Sequence, residues 1–315
     1  MFGEKGDDED IATMETVGFV GLGTMGGPMC ARLARAGHRV QAFDLNPDAL
    51  EAAAAAGVSA AGSAAEAADG VDVLMTSLPA PAHVEAVMCD AGALAALSPN
   101  SIWVDLTTSR PESIQRLATE APAGVAVVDS PVTGAVDGAR NGTLTLFAGG
   151  EAATVQRVRP LLERLGRVIE CGALGTGCVV KLVTNQLWFV AAAALAEGLA
   201  VGVRNGVELG DLWEAIKDSA ADSFVARHDA PSIFAGHYDP SFSLGLCVKD
   251  LGLVAELEAA VGADLPMTAA ARAAFERAAE RYGLDAAELS VARRIEDDAD
   301  LSLRLDGDWV PHWEA

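Results

Sequence analysis

The sequence predicts an α/β protein in which a doubly wound sheet is followed by an all-α domain with a long interdomain helix. In the first half of the chain, short β-rich segments alternate with alanine-rich segments of helical character, which is typical of such sheets. After about residue 173 this alternation ends, and long helical patterns follow one another to residue 296. These two observations place the change of architecture near residues 172–174.

Each element is predicted from its local pattern. Five segments are typical of strands buried on both faces, because they are nearly continuous apolar runs: TVGFVGL, RVQAFDL, VDVLMTSL, SIWVDLT and VAVVDSP. Further strands are predicted at 143–150 and 167–172. Helices are predicted at 28–36, 47–55, 83–89 and 151–165 in the first half, and at 175–204, 211–220, 247–261, 266–282 and 285–296 in the second.

These elements divide the chain into four parts. Residues 1–15 are expected to be a disordered acidic tail, because they are charged and contain no apolar core. The sheet domain is expected at 16–173 and the all-helical domain at 174–296. Residues 297–315 are expected to form an irregular tail, which carries Trp309 and Trp313.

The composition excludes two classes of partner. The 45 acidic residues give the 315-residue chain a formal charge of −23. Such a surface repels phosphate backbones and anionic lipid headgroups. We therefore expect neither nucleic acid nor a membrane as a partner.

The cysteine pattern and the lack of a signal-peptide core predict a soluble protein of the cytoplasm. The five cysteines are scattered and form no CxxC pair, which is typical of a reducing compartment. The five histidines show no metal-ligand spacing, so no metal site is predicted. The apolar stretch 187–203 is interpreted as a buried helix and not as a membrane span, because Glu197 interrupts it.

A glycine-rich turn between the first strand and the first helix predicts a dinucleotide site. Its sequence GLGTMG comprises Gly21, Leu22, Gly23, Thr24, Met25 and Gly26. In a GxGxxG turn the first glycine allows the tight bend, the second lets a pyrophosphate approach, and the third allows close helix packing. Since a strand precedes the motif and a helix follows it, the sheet is interpreted as a Rossmann-type domain.

Asp44 predicts which cofactor this turn binds. It follows the second predicted strand, at the position expected for a carboxylate that binds ribose hydroxyls. The same carboxylate would repel a 2′-phosphate, so NAD is favoured over NADP. The alternative is that Asp44 is only a surface aspartate after a glycine-rich turn.

The stretch CVVKLVTNQLW places Lys181 in an apolar run, although only four of the 22 cationic residues are lysines. One interpretation is that its stem packs while its ammonium reaches water. The other is a catalytic acid/base, because a desolvated lysine can release its proton near neutral pH and arginine cannot. Asn185 follows at i+4, on the same helix face.

Several motifs together resemble the β-hydroxyacid dehydrogenases, a family that includes 3-hydroxyisobutyrate dehydrogenase and tartronate semialdehyde reductase. The matching segments occur in the family's order and cover nearly the whole chain: GLGTMGGPMCARL, Leu78–Pro79, DLTTSRP, DSPVTGAVDGARNGTL, GTGCVVKLVTN and Lys249–Asp250. The resemblance implies an NAD-binding first domain and a helical second domain that binds substrate and forms the dimer.

The resemblance also implies roles for individual residues. Lys181 would be the catalytic acid/base, and Asn185 would help to orient the substrate. Leu78, Pro79 and Lys249 would lie beside the cofactor, and Thr108 would lie near the nicotinamide ribose. Two alternatives remain open: Lys249 could form a solvated pair with Asp250, and the Thr108 hydroxyl could cap the helix that follows Pro111.

The substrate carboxylate would bind at Thr133, Gly134 and Ala135, where the family commonly has Ser-Gly-Gly. Alanine adds a methyl group at a point of close approach, which affects the preferred acid. Trp188 lies seven residues after Lys181 and three after Asn185, so the three side chains should share one stripe of the helix. Trp188 is expected either to limit the size of the substrate or to pack in the core.

We therefore expect an NAD-dependent oxidoreductase that interconverts a small 3-hydroxy acid and its semialdehyde or keto acid. One alternative is an imine or keto-acid reductase on the same scaffold. Another is a non-catalytic dinucleotide-binding module, although such a module would be expected to lose the lysine and to carry basic regions. A small carboxylate substrate and a homodimer or homotetramer are the expected partners.

Overall fold

The computed structural model describes residues 16–307 and Trp309, and it contains the predicted doubly wound sheet. Nine strands lie in this part of the chain: β1 Thr16–Val20, β2 Arg39–Phe43, β3 Ser59–Ala60, β4 Val73–Thr76, β5 Ile102–Asp105, β6 Ala126–Asp129, β7 Val132–Thr133, β8 Leu144–Gly149 and β9 Gly166–Gly172. Their order in the sheet is β3-β2-β1-β4-β5-β6-β8-β7, with β9 paired to β8. The first six strands pair in parallel, whereas β8 runs antiparallel to β6 and β7.

Helices cover both faces of the sheet, which explains the apolar character of its central strands. They are α1 Gly26–Arg35, α2 Pro47–Ala54, α3 Ala64–Ala68, α4 Pro81–Glu85, α5 Ala93–Ala96, α6 Pro111–Glu120, α7 Ala135–Asn141 and α8 Ala152–Leu162. Successive residues of β1 face opposite clusters, since Phe19 packs with Met29 and Val20 packs with Trp103.

The second half of the protein is helical. Its helices are α9 Thr176–Arg204, α10 Leu209–Lys217, α11 Ala230–Ala235, α12 Leu244–Val261, α13 Pro266–Tyr282 and α14 Ser290–Ala299. The long helix α9 contacts β8 of the sheet as well as α12, α13 and α14. It is therefore the predicted interdomain helix, and its Phe189 packs against Phe275 of α13 in the helical core.

The prediction that 187–203 is a buried helix is only partly right. Helix α9 has 29 residues and is long and apolar enough, by length and composition, to cross a membrane. However, one face of α9 buries polar residues such as Lys181 and Asn185 inside the protein. The opposite face is open, since Leu187 is 63% and Val201 is 64% exposed.

Short elements are the ones that the sequence patterns did not predict. Strands β3 and β7 have two residues each, and α3, α5 and α11 have four to six. Segments this short contain no complete hydrophobic period, so their structure depends on neighbouring elements. Two π-helical turns, Ala86–Asp90 and Val225–Asp229, were also not predicted.

The C-terminal segment packs on the helical domain. Helix α14 continues to Ala299, so the irregular tail begins later than predicted. Leu303 is fully buried, and the Trp309 ring contacts the rings of Trp213 and Phe234. Trp313 and the predicted tail at residues 1–15 lie outside the described residues.

Candidate active site

The glycine turn between β1 and α1 is shaped for the close approach of a phosphate. Gly21 has a φ of 94°, and a Cβ there would clash with the carbonyl oxygen of Ser77. A side chain at Gly26 would clash with the Gly21 carbonyl, so α1 can pack closely on the turn only with glycine there. By contrast, a Cβ at Gly23 would meet nothing within 4 Å. The space over Gly23 and the first amides of α1 therefore fit the pyrophosphate of a dinucleotide.

Asp44 lies directly after β2 and is held beside this turn. Its Oδ2 accepts a hydrogen bond from the Leu22 amide at 2.6 Å, and its Oδ1 accepts one from the Asn46 amide at 2.8 Å. The carboxylate is therefore fixed at the edge of the turn where sequence analysis expects the ribose. This position disfavours the alternative of an unconnected surface aspartate.

Lys249 connects the helical domain to the predicted cofactor side of the sheet. Its Nζ donates to the Pro79 carbonyl oxygen at 3.2 Å and lies 2.9 Å from Asp250 Oδ1. Asp250 is 1% exposed. Asp250 is therefore buried, whereas the Lys249 side chain is 22% exposed, so the alternative of a fully solvated lysine–aspartate step is disfavoured.

Thr107, next to the predicted Thr108, makes the direct contact with the Leu78 turn. The Leu78 amide donates to Thr107 Oγ1 at 3.1 Å. Helix α6 begins after Arg110, and no side chain in the described structure caps it. The alternative capping role for Thr108 is therefore not supported.

A buried carboxyl group lies below this turn. Asp105 Oδ1 accepts hydrogen bonds from Thr76 Oγ1 at 2.8 Å and from the Thr107 amide at 3.1 Å. Burial raises the pKa of Asp105 to about 7, and the hydrogen bonds from the two threonines oppose that rise. Asp105 therefore supports the Thr107–Leu78 contact from the interior of the sheet.

Lys181 is buried on the second turn of α9, with 8% of its surface exposed. Burial lowers the pKa of Lys181 from 10.5 to about 8, with a smaller lowering from Lys249 and an opposing effect of the Asp250 carboxylate. A lysine that extended its ammonium into water would not be desolvated in this way. The geometry therefore favours the acid/base interpretation over the packing one.

Asp250 connects the polar residues around Lys181, and sequence analysis did not assign it this role. Its Oδ2 accepts a hydrogen bond from Asn185 Nδ2 at 2.7 Å, and its Oδ1 pairs with Lys249. Asn185 is 3% exposed, so this bond is buried between α9 and α12. The Lys249–Asp250 dipeptide was visible in the sequence, but its contact with Asn185, 65 residues away, was not.

A second residue that sequence analysis missed is Asp129, at the end of β6. Its Oδ1 accepts from the Gly175 amide at 2.6 Å, and its Oδ2 accepts from the Cys178 amide at 2.7 Å. Both amides belong to the N-terminus of α9, where unpaired N–H groups favour a negative charge. Asp129 therefore joins the sheet to the helix that carries Lys181. The only signal in the sequence was an aspartate at the end of a buried strand.

The predicted carboxylate site lies on the turn between β7 and α7. Gly134 has a φ of 121° and Ala135 a φ of 54°, both in the left-handed region. For alanine this conformation costs about 1–2 kcal/mol, which explains why glycine suits this position better. Ala135 therefore adopts a strained backbone conformation, and the residue is exposed.

Trp188 lies one turn beyond Asn185 and packs in the helical core. Its indole Nε1 donates to Asp229 Oδ2 at 2.7 Å. The centroid of its ring lies 4.9 Å from that of Phe189 and 5.5 Å from that of Phe242. The hydrogen bond from His228 to the other oxygen of Asp229, at 2.9 Å, raises the pKa of His228. Trp188 is thus anchored in the helical core but remains only half-buried.

A cleft of about 200 Å³ separates the two domains near the carboxylate turn. Val136 and Arg140 of α7 line it on the sheet side, and Pro240 and Ser241 line it on the helical side. Phe242, the next residue, contacts Trp188. The cleft therefore lies between α7, which follows the carboxylate turn, and the loop that precedes α12.

Comparison with known proteins covers both halves of the chain. Residues 16–178 match the NAD binding domain of 6-phosphogluconate dehydrogenase. Residues 175–295 match the family described as the NAD-binding domain of NADP-dependent 3-hydroxyisobutyrate dehydrogenase. The two matches together span the sheet, α9 and the rest of the helical domain.

Two curated relatives are similar over most of their length. A 3-hydroxyisobutyrate dehydrogenase of Pseudomonas aeruginosa is 37% identical over 298 residues, covering 90% of this chain and 100% of the relative. An NAD-dependent L-serine dehydrogenase of the same organism is 35% identical, covering 90% of this chain and 98% of the relative. Both are hydroxy-acid dehydrogenases by name, so the alternatives of an imine reductase and a non-catalytic module are not favoured.

A solved structure agrees with these relatives. The 3-hydroxyisobutyrate dehydrogenase of Mycobacterium tuberculosis with L-serine has a TM-score of 0.84 and 33% identity, and the match covers 90% of this chain and 99% of that one. The sheet followed by a helical domain is thus the architecture of such an enzyme. The chain therefore belongs to the β-hydroxyacid dehydrogenase family, as an NAD-dependent oxidoreductase.

Proposed function

We propose that Lys181 is the general acid/base for the oxidation of a small 3-hydroxy acid to its semialdehyde or keto acid. In its neutral form, Lys181 takes the hydroxyl proton of the substrate, and in the reverse reaction its ammonium returns that proton. The hydride on the carbon that bears this hydroxyl would go to NAD. The observation that carries the proposal is a buried lysine whose pKa is lowered to about 8 beside Asp250 and Asn185.

The cofactor residues are proposed from the geometry of the first domain. The pyrophosphate would lie over residues 21–26, and the ribose beside Asp44. The turn at Leu78–Pro79, together with Thr108 and Lys249, would lie on the nicotinamide side, since Lys249 reaches Pro79 from the helical domain. A preference for NAD over NADP follows from the Asp44 carboxylate, which would oppose a 2′-phosphate.

The substrate carboxylate is proposed to bind at Thr133, Gly134 and Ala135, across the cleft from Asn185. One Asn185 amide hydrogen is occupied by Asp250, which leaves the rest of the amide group to orient the substrate. Trp188 would limit the length of the substrate side chain. The named substrates of the relatives, 3-hydroxyisobutyrate and L-serine, are of this small size.

A screen of NAD reduction across 3-hydroxy acids tests this function. The panel contains 3-hydroxyisobutyrate, glycerate, threonate and L-serine, each with the wild type and with Lys181→Arg. Turnover of at least one acid by the wild type, with a large loss in the variant, is the expected result. Equal activity of the two proteins would contradict the role of Lys181, and no turnover of any acid would contradict the substrate class.

We further propose a homodimer or homotetramer whose subunits meet along α9. The exposed face of α9 carries Val179, Val183, Leu187 and Val201, an apolar stripe on a helix about 43 Å long. A second copy of this chain would cover that stripe. Light scattering of the wild type and of Leu187→Glu tests the proposal, because a charge in the interface should release monomers and a monomeric wild type would contradict it.

Two further assignments rest on indirect support. A domain boundary at residues 173–174 is supported by the end of β9 at Gly172 and the start of α9 at Thr176. A cytoplasmic location is supported by five free cysteines, three of them buried. Limited proteolysis and cell fractionation would test these assignments.

A further inference from the structure

The C-terminal segment 300–307 lies beyond the family match, which ends at residue 295, and yet its Arg304 contacts the loop that lines the cleft. We propose that Arg304 of this segment is a positioning residue. It holds the cleft loop, defined as residues 236–243, in the conformation that forms the helical wall of the substrate cleft. This inference rests on the proposed function, because it takes that cleft to be the substrate site.

The cleft loop needs an external support. Tyr238 and Asp239 have φ values of 59° and 54°, so two consecutive residues other than glycine adopt left-handed conformations. Such conformations are unfavourable and persist only where the surrounding contacts hold them. Within the loop, Asp239 Oδ1 accepts hydrogen bonds from the amide and the hydroxyl of Ser241. These bonds order the tip of the loop, and backbone bonds from the Leu289 amide to the Tyr238 carbonyl oxygen and from the Glu288 amide to the Phe242 carbonyl oxygen, both at 3.0 Å, join it to the segment before α14.

Arg304 adds the side-chain contacts that hold the strained part of the loop. Its guanidinium donates to the Tyr238 hydroxyl, to the Ile233 carbonyl oxygen at 2.9 Å and to Glu296 Oε1 at 2.7 Å. It also crosses Gly236 so closely that a Cβ there would lie 2.7 Å from the Arg304 Nε. One side chain thus connects the start of the loop, its strained residue and helix α14.

Glu296 completes this arrangement from below. It is 5% exposed, and its Oε2 accepts from the Tyr238 hydroxyl at 2.6 Å while its Oε1 accepts from the Leu303 amide at 2.7 Å. A buried carboxylate of this kind depends on its cation, so removing only Arg304 would leave an uncompensated charge under Tyr238. We expect the loop to shift in response.

A shift of the cleft loop would change the substrate cleft and spare the cofactor turn. Pro240 and Ser241 face α7 across the cleft, and Phe242 contacts Trp188. The glycine turn and Asp44 belong to the sheet domain, whereas Arg304 and the cleft loop belong to the helical half of the chain. Replacing Arg304 should therefore weaken the binding of the hydroxy acid and leave the binding of NAD unchanged.

Steady-state kinetics of three variants test this inference. Arg304→Met removes the donors, and Arg304→Lys keeps a charge for Glu296 but not the forked geometry. Arg281→Met is the control. Arg281 lies on α13 and pairs with Asp297 and Asp298 of α14, the helix that also carries Glu296, but away from the loop. We expect the KM of the hydroxy acid to rise about tenfold in Arg304→Met and less in Arg304→Lys, with the KM of NAD changed by less than about twofold.

The outcomes separate the inference from the function on which it rests. If Arg304→Met lowers Tm but leaves the KM of the hydroxy acid at the wild-type value, Arg304 is only structural and the inference is overturned. If Arg304→Met does not fold, Arg304→Lys decides: a raised KM for the acid alone supports the inference, and an unchanged KM overturns it. A wild type that oxidises no hydroxy acid would instead overturn the proposed function.

Discussion

Replacing Lys181 by arginine tests the chemistry most directly, because arginine keeps the positive charge but cannot release its proton. Burial lowers the pKa of Lys181 from 10.5 to about 8. At pH 7, about 0.03% of lysines with a pKa of 10.5 are neutral, compared with about 10% at a pKa of about 8. The site therefore increases the amount of free base about 300-fold, an increase that arginine cannot reproduce.

The assay is NADH formation from the best 3-hydroxy acid, followed between about pH 6 and about pH 10. For the wild type we expect kcat/KM to rise about tenfold per pH unit and to level off above about pH 8. Asp250→Asn should move this break to lower pH, since the Asp250 carboxylate favours the protonated lysine. Lys181→Arg should lower kcat by about 10²–10⁴ and leave the affinity for NAD nearly unchanged.

Lys217→Arg is the matched control, because Lys217 pairs with Glu214 on the surface of α10. It should behave as the wild type at every pH. A kcat for Lys181→Arg within about threefold of the wild type, or a pH profile without a break, would refute the role of Lys181 as acid/base. In that case Lys181 would be a lysine that only packs.

Three further predictions concern the cofactor, the pocket and the core. The kcat/KM of the wild type should be at least about tenfold higher with NAD than with NADP, and Asp44→Ser should reduce this preference. Equal turnover of both cofactors by the wild type would contradict the role of Asp44. Trp188→Ala should broaden activity toward bulkier 3-hydroxy acids, and Asn185→Ala should mainly raise the KM of the hydroxy acid. If Trp188→Ala lowers Tm but leaves the substrate range unchanged, Trp188 is purely structural. Glu288 is 2% exposed, and burial raises its pKa well above 4.5. Above pH 4.5 the unfolded chain releases a proton that the folded protein retains, so the free energy of unfolding falls as pH rises. Thermal melts should therefore show Glu288→Gln to be more stable than the wild type near about pH 8 and not below pH 4.5, and equal Tm values near about pH 8 would contradict the argument.

Much of the local structure was determined by the sequence itself. The runs TVGFV and IWVD predict buried strands because a sheet covered on both faces accepts only apolar residues. The glycines 21, 23 and 26 predict the phosphate turn, because Gly21 and Gly26 leave no room for a Cβ and Gly23 leaves space for a pyrophosphate. Lys181 stood out as a rare lysine in an apolar run, and the resemblance to the β-hydroxyacid dehydrogenases implied its catalytic role.

Other features were decided only by tertiary structure. The hydrogen bond between Asn185 and Asp250 joins residues 65 positions apart, and the one between Cys178 and Asp129 joins residues 49 positions apart. No local sequence pattern contains such pairs. The same is true of Arg304, whose contacts with Tyr238 and Ile233 span 66 and 71 positions. The pKa of Lys181 also depends on burial between two domains, a property that a helical period cannot specify. Sequence thus determined which groups are present and which helix face carries them, whereas packing decided which distant groups meet, because hydrogen bonds and desolvation depend on distances of a few ångströms.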